Sequence, residues 1–405
     1  MVKIAVVGVG GRGFHGFAWP LRQRRDVQLV SLVDTNLERA QVAARLIKEK
    51  TGLVVSRYGD YRELLKTEVD LVVVTTPDFT HAEIAMATMR AGKDVFVDKP
   101  LATNTADCLR IYETMKQTGR RLFLGFNLRY DIVCRRIKEI LESGALGRIV
   151  NISNADFYEG GKTYMARWNR FYKYSGGLFC HKGCHDLDIM NWYLNMARPL
   201  RVAAMAGVDV LRPEELPVAA AEKKIGPYCR VCQVRQFCPD AARVESPLYS
   251  EDVARVDAYY PDTCIYLSEK DTHDNGFAMV EYEGGQRVFH WECFFTPVST
   301  RRFTIVGTRG HLDADLAENK IVVYPRWRKD RITYSLMRGE GGHGGADANM
   351  LEGLISSLNE PGRFKFTSVE EGIMSVVIAE AAEKSRRQGR IVETKELIDW
   401  EVLAR

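Results

Sequence analysis

The sequence predicts an α/β protein: a doubly wound parallel sheet over residues 1–126, then an α+β domain over 127–405 built on a mainly antiparallel sheet. Three observations carry this. Short β-branched runs alternate with stretches of helical spacing through the first 126 residues. From Phe277 onward the apolar residues alternate instead, as in strands with one exposed face. Between these patterns, six of the thirteen prolines fall from Pro213 to Pro261, where regular structure should be scarce.

In chain order, strands are expected at Lys3–Val7, Val27–Val33, Val69–Thr75, Asp94–Val97 and Arg121–Phe126, with a weaker one at Val54–Ser56. They lack strict alternation, which suggests burial on both faces, and helical spacing lies between them at Leu37–Lys50, His81–Ala91 and Ala106–Gln117. Short connections make these right-handed βαβ units. After Asn127, Tyr130–Ser143 reads as a helix, Arg148–Phe157 as a strand and Ser175–Asn195 as one long helix. Ala278–Tyr282, Gln286–Glu292, Arg302–Val306 and Lys320–Tyr324 read as strands, and Asn349–Leu358 and Val369–Gln388 as closing helices. Residues 211–265 form an irregular insertion within the second domain, which needs something besides apolar burial to hold it.

Composition sets the outer limits. The 405 residues are 46% hydrophobic and 27% charged, which is ordinary for a folded globular chain. The net charge of +4 is too small to point to nucleic acid. No apolar run reaches the length of a membrane span. The opening Met1–Val7 reads as a strand and lacks the features of a secretory signal, so the expected compartment is the cytoplasm.

The first strand leads into Gly8-Val9-Gly10-Gly11-Arg12-Gly13, a G-x-G-x-x-G turn at the start of a βαβ unit. The first glycine permits the tight turn, the second lets backbone approach a pyrophosphate, and the third lets helix and strand pack closely. The free N–H groups of the following helix then face the phosphates. Asp34 ends the second strand 21 residues after Gly13, placed to accept hydrogen bonds from both ribose hydroxyls. An acid there repels a 2′-phosphate, which favours NAD over NADP, although Arg39 is close by. These features read as a Rossmann dinucleotide site. The loop Thr75-Thr76-Pro77-Asp78, beyond the fourth strand, should line its nicotinamide half.

The next strand ends Asp98-Lys99-Pro100, and a lysine there could polarise or deprotonate a hydroxyl. His181 and His185, at i and i+4 of the expected long helix, share a face, and His185 could take the alcohol proton.

Taken together these residues resemble the Gfo/Idh/MocA oxidoreductases. The matches are the strand-one glycines, the Thr-Pro loop with His81, Asp98-Lys99-Pro100, and Ser175-Gly176-Gly177 followed by His185 and Asp188. Later echoes are Arg302–Gly310, Gly342–Asp347 and Ala381–Val392, so the likeness covers nearly the whole chain. It implies an N-terminal Rossmann domain and a C-terminal open, mainly antiparallel sheet whose outer face makes a homodimer or homotetramer. It also implies oxidation or reduction of a hydroxyl-bearing carbon on a sugar, glycoside or cyclitol, with no nucleic acid and no membrane as partner. The catalytic lysine falls on Lys99 and the histidine on His185. Asn127 matches a position near the cofactor, and Tyr158, Trp168 and Arg170 fall where the substrate is held. One departure matters: His181 stands where many relatives carry aspartate. It could orient the proton transfer or pair with His185 on a metal. It could also be the extra base of a redox-neutral glycoside hydrolase, as in some relatives that oxidise transiently, eliminate, add water and re-reduce. A nucleotide-sensing protein without chemistry is a further alternative.

Cys229, Cys232, Cys238 and Cys264 are spaced C-x2-C-x5-C-x25-C inside the insertion. Four thiolates at that spacing suit a structural tetrahedral zinc, or alternatively an iron–sulfur cluster. A metal would also explain how a proline-rich loop is fixed.

Overall fold

Six parallel strands make the first sheet, in the order β3-β2-β1-β4-β5-β6. They are β1 (Val2–Val7), β2 (Val27–Val33), β3 (Ser56–Tyr58), β4 (Leu71–Val74), β5 (Asp94–Asp98) and β6 (Leu122–Gly125). This is the doubly wound order whose ligand crevice opens beyond the C-terminal strand ends, where β1 and β4 diverge. Every residue of β4 is buried, which is why its sequence is unbroken Leu-Val-Val-Val rather than alternating. The computed structural model describes residues 1–218, 224–337, 339, 341–360, 362, 364 and 366–403, with residue 162 described through its backbone alone.

After β1, α1 runs through three continuous pieces, Gly11–Gly13, the π-turn Phe14–Ala18 and Trp19–Leu21. α2 (Leu37–Thr51) starts where the Asn36 side chain accepts from the Arg39 N–H and stops at Gly52, φ 75°. α3 (His81–Arg90), α4 (Thr105–Thr118, capped by Asn104) and α5 (Ile132–Glu142, capped by Asp131) follow. The weak strand expected at Val54–Ser56 pairs instead as Ser56–Tyr58.

The second sheet has nine strands in the order β14-β13-β12-β11-β7-β10-β9-β8-β15. They are β7 (Ile149–Phe157), β8 (Pro199–Gly207), β9 (Asn275–Tyr282), β10 (Arg287–Cys293), β11 (Thr300–Gly307), β12 (Gly310–Asp315), β13 (Lys320–Pro325), β14 (Ile332–Ser335) and β15 (Val392–Glu393). Among the described residues, only β7 and β10 of this sheet pair in parallel. Burial alternates along β9 because one face packs on helices and the other is open. Met205, Met279, Trp291 and Val306 stand exposed on this sheet.

The expected single helix over Ser175–Asn195 is broken. Tyr172–Ser175 is a separate turn, then come α6 (Leu178–His181) and α7 (Cys184–Tyr193). Each break carries a glycine where no side chain fits. Gly177 has φ 87°, and a Cβ there would lie 2.0 Å from the Glu383 carboxylate. At Gly183 a Cβ would meet the Phe179 carbonyl oxygen at 2.8 Å and Glu292 at 3.0 Å. Among its described residues the insertion carries one short α-helix, α8 (Glu251–Asp257). Two helices close the chain, α9 (Ala346–Asn359) and α10 (Val369–Gln388), the latter opened by a Ser368–Glu371 capping box. α9 returns to the first domain, where Met350 and Leu354 join the core that holds Ile4 and Phe17. Among the described residues, no helix is long and apolar enough to cross a membrane.

The zinc expectation is not met. Among the described residues, no three or more His, Cys, Asp or Glu side chains are disposed to hold a metal ion, which leaves zinc and an iron–sulfur cluster alike without a ligand set. Cys229, Cys232, Cys238 and Cys264 are free, partly exposed thiols. The segment is held by other means. Tyr228 bridges Thr263, Arg230 pairs with the buried Asp262 at 2.9 Å, and the Tyr266 hydroxyl donates to Asp240 at 2.5 Å.

Candidate active site

The end of β1 sets the floor of a cleft of about 1050 Å³ between the two sheets. Gly8 takes φ 89°, and a Cβ on it would lie 2.7 Å from the Thr76 nitrogen. A Cβ on Gly13 would lie 2.0 Å from the Gly8 carbonyl oxygen. Neither position can carry a side chain, so the cradle that a dinucleotide requires is built into the packing. Asp34 lines the cleft and is only 8% exposed. Its carboxylate accepts from the Val9 and Asn36 N–H groups at 3.1 and 2.9 Å. Burial raises its pKa although Arg39 opposes the shift.

Arg12 does not extend into open space. It pairs with Asp98 and with Asp347, both at 2.8 Å, so it ties β5 to the start of α9. Asn127 donates to the same Asp347 at 2.8 Å and keeps a buried carbonyl oxygen unpartnered. Burial opposes ionisation of Asp347, yet His343 and Arg12 outweigh it and hold the carboxyl below its usual range. Thr75 anchors the glycine turn through its hydroxyl, 2.8 Å from the Gly8 carbonyl oxygen. His81 spans the Thr76 and Pro100 carbonyls at 3.0 and 2.8 Å, locking the Thr75–Pro77 loop beside β5.

Lys99 follows β5, with a cis bond to Pro100. Its Nζ donates to the His181 carbonyl oxygen. His185, on α7, lines the same cleft and is 7% exposed. Its pKa is driven well below the usual value by burial first and then by the charges of Lys99, Lys182 and Arg301. The ring is therefore neutral, and its Nδ1 is buried without a partner among the described residues.

His181 differs from what its spacing suggested. Since the helix breaks at Lys182-Gly183, it does not share a continuous helical face with His185. Its Nδ1 lies 2.6 Å from Asp78 and its Nε2 2.7 Å from the Asn169 amide nitrogen. Asp78 can only accept and the amide can only donate, which fixes the Nδ1–H tautomer. Burial lowers its pKa against the pull of Asp78. It is a pinned ring, not a free base.

Tyr158 and Trp168 line the cleft. Arg170 does not: it stacks on Phe171 at 4.4 Å and donates to the Glu269 and Arg167 carbonyls. Several lining groups escaped the sequence reading. Lys182 and Arg301 sandwich Asp156 at 2.8 and 3.0 Å, and Arg301 also reaches Asp186 at 2.7 Å. Burial opposes the Asp156 charge, but the two cations outweigh it and hold its carboxyl low. Asn169 belongs with these, and so does the pairing of the expected loop residue Asp78 with His181. Their signal was faint, since a single polar residue in a loop shows no spacing.

Residues 2–126 match the oxidoreductase family's NAD-binding Rossmann fold, and residues 138–394 match its C-terminal alpha/beta domain. The chain belongs to the Gfo/Idh/MocA oxidoreductase family. Its N-terminal domain is thus that family's NAD-binding fold, as the glycine turn and Asp34 indicate. A putative oxidoreductase, YteT, of Bacillus subtilis is 27% identical over 99% of this chain and 100% of its own length. Inositol 2-dehydrogenase of Salmonella typhimurium is 31% identical over 48% of this chain and 55% of its own. The crystal structure of an oxidoreductase domain protein from Kribbella flavida superposes with a TM-score of 0.73 at 18% identity, covering 98% of this chain and 100% of that one. That likeness concerns the fold.

Proposed function

We propose that the protein is an NAD-dependent dehydrogenase acting on a secondary-alcohol carbon of a sugar, glycoside or cyclitol. One observation carries the reading: Lys99 and a buried, neutral His185 line the same cleft as the glycine turn and Asp34. The inositol dehydrogenase relatives, matched over about half of this chain, support the substrate class. Bound NAD would supply the hydride acceptor. Gly8, Gly10, Gly11, Gly13 and Asp34 would hold it, with Thr75, Thr76, Pro77 and Asp98 beside the nicotinamide.

The chain's own residues manage the proton. As the C–H bond gives up its hydride, the hydroxyl O–H proton passes to His185, whose neutral ring can accept it. Lys99 donates a hydrogen bond to the same oxygen, where charge develops. His181 is a positioning residue: held by Asp78 and Asn169, it presents the carbonyl that orients Lys99. Tyr158 and Trp168 would flank the sugar ring. The exposed Met279 and Trp291 face would join a second copy of the chain.

A redox-neutral glycoside hydrolase would need one more free base for a carbon-bound proton. His181, the residue available for it, has both ring nitrogens engaged. The deciding experiment mixes the protein, excess NAD and a panel of cyclitols and glycosides, and follows reduced nicotinamide by absorbance. Accumulation proportional to one substrate is expected. Sugar release without NADH would favour the hydrolase, and nucleotide binding with neither would favour a sensor.

A further inference from the structure

The insertion does not hang free of the nucleotide domain. Leu248 and Val253, each 1% exposed, are packed into the core that contains Val9, Val42 and Ala43. The Asn36 amide donates to the Val253 carbonyl at 2.7 Å, and the Tyr249 hydroxyl accepts from the Gly11 N–H at 2.8 Å. This stretch therefore walls the adenosine end of the cleft, which Tyr249, Asp257 and Tyr259 line.

Its contact with Arg39 is the telling one. An arginine five residues after the β2 acid is well placed to meet the 2′-phosphate of NADP. Here each of its three nitrogens is already used. Nη1 donates to Asp34 at 3.0 Å, Nη2 to Asp257 at 2.7 Å and Nε to the Leu248 carbonyl at 3.2 Å. The guanidinium is 7% exposed and lies 5.5 and 6.0 Å from the Tyr249 and Tyr259 rings. Two of those three partners come from the insertion. Asp257 also ends α8, where a carboxylate opposes the helix dipole; it is held there by Arg39 and by the Tyr259 N–H, which donates to it at 3.2 Å.

We infer that the insertion is a cofactor-specificity element: Asp257 disarms Arg39 and so excludes NADP. One cation between two carboxylates leaves the Arg39 locus net negative, and a 2′-phosphate there would meet like charge at a guanidinium whose three nitrogens already serve protein acceptors. This rests on the dinucleotide reading above and names which dinucleotide the insertion admits.

The test measures NAD and NADP affinity by protein fluorescence in wild type, Asp257→Asn, Asp257→Ala and the Asp257→Ala/Arg39→Ala double variant. Wild type should bind NAD about 100-fold tighter than NADP or better, the scale of a desolvated like-charge clash. Either single substitution should strengthen NADP binding about tenfold or more, since it removes one carboxylate charge from the guanidinium, with NAD within about threefold. The double variant should lose that gain. Wild type binding both nucleotides alike would overturn the inference. So would folded single variants with unchanged NADP affinity, a gain that survives loss of Arg39, or loss of NAD binding in both singles. Binding of neither nucleotide to wild type would instead refute the dinucleotide reading itself.

Discussion

Replacing Lys99 by alanine removes the group proposed to sit on the reacting oxygen, and the structure sets three separate expectations for it. The first is chemical. Loss of an acid–base partner lowers turnover by about 10²–10⁴-fold, which is about 3–5 kcal/mol of barrier. The second is structural and small. Lys99 donates to the His181 carbonyl, and losing one such bond costs about 1 kcal/mol of stability. The fold should survive, and NAD affinity should stay within about threefold, because the glycine turn and Asp34 do not use Lys99. The third concerns pH. After burial, Lys99 is the leading charge that depresses His185. A histidine with a depressed folded pKa contributes stability above its unfolded pKa and loses it as pH falls. Without Lys99 the His185 pKa rises, so that acid destabilisation eases. The residual activity, which needs the neutral ring, should fail at a higher pH than in wild type. The assay is kcat and KM by NADH absorbance from about pH 5 to about pH 9, a range that brackets an ordinary histidine, with NAD affinity measured alongside. Turnover within about threefold of wild type with NAD binding intact would refute the role. So would an acid limb that stays where it was.

Three further expectations follow from the same geometry. Asp78→Asn replaces the acceptor that fixes the His181 tautomer, and the resulting misplacement should lower kcat about 10- to 100-fold with little change in KM; an unchanged kcat would show that His181 does not position Lys99. Arg129→Met strips the buried Asp188 of its partner at 2.7 Å, which should cost about 3–5 kcal/mol of stability. Burial already lifts the Asp188 carboxyl to about 6 against the pull of Arg129. A raised acid contributes stability that is present below its unfolded pKa and lost as pH rises through the folded one. The variant should therefore lose more Tm at about pH 7.5 than at about pH 5, and equal losses would contradict this. Trp291→Glu places a charge on the exposed sheet face and should reduce the mass seen by light scattering while NAD binding persists; a monomeric wild type would remove the proposed interface.

The doubly wound domain was legible because its signals are local. Val27–Val33 and Val369–Gln388 have the ends their sequences suggest, and Asn36, Asn104 and Ser368 cap helices through their own side chains. What escaped depends on contacts far along the chain. β8 reads as Pro-Leu-Arg-Val-Ala-Ala-Met-Ala-Gly, too rich in alanine for a strand by propensity, and is one because β9 pairs along its length. At the Lys182-Gly183 break only glycine fits, since a Cβ on Gly183 would meet the Phe179 carbonyl oxygen and Glu292. Glu292 is itself fixed there by His273 and His290, at 2.5 and 3.1 Å. No periodicity within residues 175–195 contains that information, so an i, i+4 pairing of His181 and His185 was the natural but mistaken reading.

The site divides along the same line. Backbone requirements were readable: Gly8 and Gly13 are glycines because nothing larger fits, and such demands leave a spacing in the sequence. Side-chain networks were not, since Asp78, Asn169 and Asp156 acquire meaning only from what they touch. The insertion carries the argument furthest. Its cysteine spacing suggested a closed metal centre, yet spacing along a chain fixes no geometry in space. Its order has sources that the spacing hid: ion pairs such as Arg230–Asp262 within it, Leu211 and Ile265 buried in a small core with Met165 and Phe294, and Leu248 and Val253 buried against another domain's core. A loop too poor in apolar residues to make its own core can borrow one. The place where it borrows decides what else it can do, and here that place is the rim of the nucleotide site, one hydrogen bond from Gly11 and one from Arg39.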